Sequence, residues 1–143
     1  MTTLLASAAR TASGTFVVPT PLPAGVLAGV FQLLVSAAAT DVGDTLDVYI
    51  QHSVDGGTTW DDFIHFTQVL GNGGAKTFIA RWNPIGAAPE SELGAPQDGA
   101  MSAGVLQQPV GPNLRVKWAI TDAGTANASF TFGVEAAFTK LRS

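Results

Sequence analysis

The sequence contains no cysteine, which excludes disulfides, thiolate metal sites and cysteine nucleophiles together and leaves the redox compartment open. Charge is scarce as well: Asp, Glu, Lys and Arg make up 13% of the residues, where about 25% is ordinary for a soluble domain. The seven basic residues are scattered and the net charge is −4, so the phosphate-neutralising patch on which nucleic-acid binding relies is missing. Apolar runs fall far short of the roughly 18 residues that a membrane span requires. Arg10 follows a short apolar patch, whereas a secretory signal places basic charge first, so no export signal is expected. His52 and His65 are the only histidines. No Ser, Asp and His grouping is recognisable by spacing, and the expectation is a chain with no catalytic residues, no cofactor and no metal site.

What is present reads as a single folded domain. A chain of 143 residues with 46% hydrophobic residues is long enough to bury its own core and too apolar to be a disordered polymer. With so few charged side chains, much of its surface is Ala, Gly, Thr, Ser, Asn and Gln. That surface fits either a neutral polar monomer or one covered by neighbouring subunits, since interface cores are depleted in charge.

The stretch from Leu46 to Phe66 carries the clearest local signal. Leu46, Val48 and Ile50 alternate with Asp47, Tyr49 and Gln51, the period-two pattern of a strand with one buried face. Asp55-Gly56-Gly57 supplies a reversal, and the aromatic run from Trp60 to Phe66 returns, so a β-hairpin is expected whose second strand runs on to about Leu70. Within it, Ser53, Asp55, Gly57, Thr59 and Trp60 complete the pattern Ser/Thr-x-Asp-x-Gly-x-Thr-Trp. This is the Asp box, which recurs in sialidase-like propellers and other β proteins, where it is structural. Its content is a folding device: the aspartate accepts turn amides, the glycines permit the bend and the tryptophan anchors it.

On either side the chain punctuates itself. Residues 1–13 read as an N-terminal arm or edge strand, and residues 14–143 as the domain proper. Pro19, Pro21 and Pro23 remove backbone donors and make an extended linker. Gly29 to Ser36 is a dense apolar run that fits a fully buried strand or a short buried helix. Lys76 to Trp82 reads as a strand that completes an antiparallel meander with the hairpin, because the intervening Gly71–Gly74 turn is too short for a parallel crossover. Leu114 to Thr121 and Phe130 to Thr139 alternate cleanly and are expected to close the domain as a second hairpin. The count is about seven strands, which indicates an all-β antiparallel sandwich or jelly roll.

Between these, Asn83 to Gly111 has four prolines and no basic residue, and shows neither strand alternation nor a capped helix. A loop of this length is a disordered surface segment, a lid, or an arm that lies on a neighbour. Asp61, Asp62 and His65 form either a solvated turn or a weak cation cluster. Arg115 and Lys117 share the polar face of one strand, as solvated side chains or as contacts to an acidic partner. Trp82, Trp118, Phe130 and Phe132 alternate as a core does, with a sugar-stacking platform as the other reading.

The opening Leu4–Ser13, LLASAARTAS, and the closing Leu114–Ala136, LRVKWAITDAGTANASFTFGVEA, resemble a group of small phage virion proteins encoded near capsid genes. The resemblance implies a non-enzymatic capsid decoration (cement) protein on the virion surface, or a neck or tail component. It implies as partners the major capsid protein or other virion proteins, and a homo-oligomer, with a trimer at local threefold positions favoured. The candidate partner contacts are Leu4, Leu5 and Arg10 in the N-terminal arm, Pro84, Glu90, Glu92 and Pro96 in the long loop, and Arg115 and Lys117. This sequence departs from the group in carrying the Asp-box hairpin and the long loop. A carbohydrate-binding or adhesin module using Trp60 and Tyr49 is the alternative from another class, and a hydrolase would have only Asp61, Asp62 and His65 to use.

Overall fold

A computed structural model describes residues 1–85 and 94–140. Among them are ten strands and no helix: β1 (Thr2–Arg10), β2 (Gly14–Val17), β3 (Val26–Ala37), β4 (Thr45–Ser53), β5 (Asp61–His65), β6 (Val69–Leu70), β7 (Lys76–Trp82), β8 (Gly104–Val105), β9 (Asn113–Thr121) and β10 (Phe130–Lys140). They form two antiparallel sheets packed face to face, a β-sandwich. One sheet has four strands in the order β1-β10-β3-β7. The other has six, in the order β2-β9-β4-β5-β8, with β6 paired to β4.

Alternation decides which side chains meet between the sheets. Phe31, Leu33 and Val35 of β3 and Phe130, Phe132 and Val134 of β10 face Leu46, Val48 and Ile50 of β4 and Leu114 and Val116 of β9, all of them fully buried or nearly so. Phe63 sits at the centre and makes edge-on contacts with Phe31 at 5.7 Å and Trp82 at 5.9 Å. Fully burying such a side chain stabilises the fold by about 1.5–3 kcal/mol. Trp82, Phe130 and Phe132 are core residues, and Trp118 is partly buried against them. Gly29 to Ser36 lies within β3, a strand rather than a helix.

Several expected pairings are replaced by others. The hairpin β4–β5 is present, with Tyr49 opposite His65 and Ile50 opposite Ile64, but its second strand stops at His65. β7 does not continue that meander: it pairs with β3 in the opposite sheet. The left-handed Asn72 (φ 63°) and Gly74 (φ 71°) turn the chain, and the connection arches between layers so that Phe78, Ala80 and Trp82 point into the core. β9 and β10 likewise do not form a hairpin. β9 pairs with β2 and β4, while β10 lies between β1 and β3 in the other sheet. The turn between β9 and β10 is bolted to the loop before β4, where buried Asp44 accepts the amides of Ala123 (2.8 Å) and Gly124 (3.2 Å) and Asp41 accepts that of Ala126 (2.7 Å).

The N-terminal segment is an edge strand integral to the sandwich rather than a free arm, with β1 running beside β10 from Thr2 to Arg10. Leu4 and Leu5 are consequently core residues, 2% and 4% exposed. The expectation that they contact a partner is overturned, because their side chains are already used by the fold.

Candidate functional site

The polar face of the six-stranded sheet gathers the residues that the sequence singles out. β4 presents Tyr49, Gln51 and Ser53 there, and all three are buried even though they point away from the core. The cover is residues 94–111, a strap laid across the sheet and around the β5 edge. Its principal anchor is Asp62, which is 3% exposed. The Asp62 carboxylate accepts the backbone amides of Gly99 (2.9 Å), Ala100 (2.9 Å) and Met101 (3.1 Å), and the Gln51 side-chain amide (2.8 Å). Three amides converging on one carboxylate account for its burial, since a buried charge is tolerated where hydrogen bonds replace its water.

A second carboxylate, Asp98 of the strap, sits beside this anchor. Its Oδ1 accepts from Gln51 (2.7 Å), from Arg115 Nη2 (3.0 Å) and from Lys117 Nζ (2.8 Å). The Lys117 hydrogen bond, then that of Gln51, holds the Asp98 carboxyl below the usual carboxylate range. Arg115 also donates from Nε to Gln51 (2.7 Å) and lies over the Trp60 ring at 4.7 Å. Arg115 and Lys117 thus already pair with an acidic group of their own chain, Asp98.

The histidines serve the same strap. His65 stacks on Tyr49 at 4.1 Å, bonds Asp47 at 2.9 Å and meets the Met101 carbonyl at 2.8 Å. His52 Nδ1 accepts the Gly111 amide (2.9 Å), and its Nε2 lies 3.5 Å from Asp61. Burial lowers the His52 pKa, opposed by the neighbouring Asp61 carboxylate. Asp61 accepts the Gln97 amide at 2.8 Å. Asp61, Asp62 and His65 are thus distributed along one strap rather than converging on a ligand, and among the described residues no group of three or more His, Asp or Glu side chains is placed to hold a metal ion.

At the Asp box, Ser53 Oγ donates to Asp55 (2.7 Å) and accepts the Gly57 amide (2.9 Å), while Asp55 Oδ1 accepts the amides of Thr58 (3.1 Å) and Thr59 (2.8 Å). The Thr59 amide and the Ser53 hydroxyl hold the Asp55 carboxyl down to about 2. Gly57 takes the left-handed φ of 97°, and a Cβ there would stand 3.2 Å from the Trp60 ring. Trp60 and Tyr49 are each 7% exposed, so neither presents a ring face to a sugar.

Of the remaining candidates, Arg10 donates to the carbonyls of Phe132 (2.6 Å) and Ala6 (2.8 Å) and lies over the Trp118 and Phe132 rings at 5.0 and 4.7 Å. It is a clamp on the β1 end. Pro84, which follows β7, is partly buried, and Pro96, near the start of the strap, is exposed. Glu90 and Glu92 lie outside the described residues. No family model, curated protein or solved structure matches this chain.

The outer face of the four-stranded sheet is built differently. Val30, Leu34 and Ile79 are 42%, 43% and 52% exposed, and the register aligns Val30 with Ala137 and Arg81, and Gln32 with Glu135 and Ile79. Its central carboxylate, Glu135, accepts from Thr3 Oγ1 at 3.0 Å. Only Glu135 and Arg81 carry charge on this face among the described residues. No sequence signal distinguished it, because alternation says which residues point outward and not what covers them.

Proposed function

We propose that the chain is a non-enzymatic capsid decoration protein of a phage virion, acting as a homotrimer that docks on the major capsid protein. The observation that carries this reading is the contrast between the two sheet faces. The polar face spends its ionic groups on its own strap, whereas the outer face of the four-stranded sheet exposes Val30, Leu34 and Ile79 and, among the described residues, carries only two charges. Charge-depleted surface backed by a rigid β-body is what a stable subunit contact requires, and the resemblance of both ends of the chain to virion accessory proteins supplies the partner. Leu34 is the residue at the centre of the proposed contact.

The test is co-sedimentation of the purified chain with pre-formed capsids, with its oligomeric state measured alongside. Saturable binding that Leu34→Glu abolishes without altering the circular dichroism spectrum is expected. A monomer that stays in the supernatant at every concentration refutes the reading.

A further inference from the structure

Strand edges expose unpaired peptide groups, and β-proteins close them with bulges, short strands or capping side chains. Among the described residues, three of the four sheet edges here are closed in these ways. β1 is irregular between Thr3 and Leu5 and between Leu5 and Ala8, and the Arg10 guanidinium bonds the Ala6 and Ala8 carbonyls at 2.8 and 3.1 Å. β2 is four residues long and runs into Pro19, and β8 has only two residues.

β7 differs. It pairs with β3 over Lys76–Trp82 without a bulge, and its other side is only half capped. The Gln107 carboxamide donates to the Arg81 carbonyl at 2.7 Å and accepts the Asn83 amide at 2.6 Å, occupying the place of a neighbouring strand's peptide group. Because peptide directions alternate along a strand, those two bonds fix which groups face away from β3: Arg81 and Asn83, and by the same parity Thr77 and Ile79. The N–H and C=O groups of Thr77 and Ile79 have no hydrogen-bond partner among the described residues. Directly beneath this edge, between the two sheets, lies a cleft of about 220 Å³ lined by Phe66, Phe78, Ala80, Val105, His65 and Ile79 among others. Lys76 and Arg81 stand near its two ends, both exposed and neither in an ion pair among the described residues.

We propose that β7 takes up an extended segment of a partner protein as an added strand. Its backbone bonds Thr77 and Ile79, an apolar side chain drops into the cleft between Phe78 and Val105, and acidic residues at its ends lie beside Lys76 and Arg81. In this mode main-chain bonds supply affinity and the pocket under alternate side chains supplies selectivity. The Gln107 carboxamide shows the edge already holding a peptide-like group, and the two cations, without an ion-pair partner among the described residues, select an occupant with acidic ends. The proposal stands on the edge alone and holds whether or not the chain is a virion protein.

The probe is a fluorescein-labelled peptide of seven residues with valine at alternate positions, threonine between them and glutamate at each end. Fluorescence anisotropy on the full chain reads its binding. Saturable one-to-one binding is expected, with slowed hydrogen exchange at the Thr77 and Ile79 amides. Methylating the two peptide nitrogens that face β7 is expected to weaken it at least about tenfold, one lost hydrogen bond being worth about that much. Arg81→Glu, a surface change, is expected to weaken the glutamate-ended peptide and favour a lysine-ended one. Equal affinity for the N-methylated peptide overturns the proposal, as does unchanged exchange at Thr77 and Ile79 or the absence of saturable binding. Self-association through β7 that the peptide cannot displace also overturns it, in favour of edge pairing between copies.

Discussion

Removing the Asp62 carboxylate tests whether the strap over residues 94–111 is held by one buried charge or by its surface ion pairs. Asp62→Ala strips the partner from three backbone amides and from Gln51. Hydrogen bonds to a charged group contribute about 1.5–3 kcal/mol each, so three at the low end come to roughly 4–5 kcal/mol. Relief of the cost of burying the carboxylate returns part of that, leaving an expected loss of about 3 kcal/mol. Asp98→Ala breaks the bonds to Arg115 and Lys117, but Asp98 is 54% exposed, and an exposed pair is worth about 1 kcal/mol or less. Urea unfolding followed by tryptophan fluorescence measures both losses. Hydrogen exchange at Gly99, Ala100 and Met101 and proteolysis within 94–111 report the strap directly. The Asp62 variant is expected to lose amide protection and to be nicked there while the sandwich persists. The reasoning is refuted if Asp62→Ala costs no more than Asp98→Ala, or if those three amides keep their protection.

Three further outcomes follow from the same geometry. Burial holds the His52 pKa below the ordinary imidazole value of 6.5, so the unfolded chain binds the proton first; stability is expected to fall as pH drops below about 6.5, and His52→Gln to flatten that slope in urea titrations between pH 7.5 and 5.5. Asp55 is held down to about 2 against an ordinary carboxyl value of 3.8, so its contribution is complete above about pH 4 and is lost as pH falls through about 2; carbon-13 titration of its carboxyl reads this, and a midpoint near the ordinary value contradicts the turn geometry. A Cβ at Gly111 would collide with the Ser53 carbonyl, so Gly111→Ala is expected to cost about 1–3 kcal/mol in thermal or urea unfolding, and a neutral result would mean that the strap end sits elsewhere.

How much of this was legible depends on whether the signal was local. The β4–β5 hairpin, the Asp-box turn and the separate strands β9 and β10 follow from alternation and glycine placement within about ten residues, the range over which such patterns are informative. Pairing was not legible in the same way. The five residues after Leu70 and the eight after Thr121 are each compatible with a return in the same sheet, and only the core contacts of Phe78, Trp82, Phe130 and Phe132 decide that each arches between sheets. Leu4 and Leu5 read as partner contacts on an arm or edge strand because the strand they pair with, β10, lies at the far end of the chain. Asp62 and Arg115 each find partners in a Pro- and Gly-rich segment with no periodicity, and nothing local announces that Asp98 and the Gly99–Met101 amides will return to them. The sign that both faces of β4 are covered was available only as uncharged Tyr49, Gln51 and Ser53 on its outward positions.

If the chain decorates a capsid as proposed, its copy number in purified phage particles tests that role most directly. Quantitative mass spectrometry against the major capsid protein is expected to give on the order of hundreds of copies, as repeated positions on an icosahedral surface require. About six or twelve copies would place the chain in a neck or tail ring, and its absence from the particle would contradict the virion role altogether.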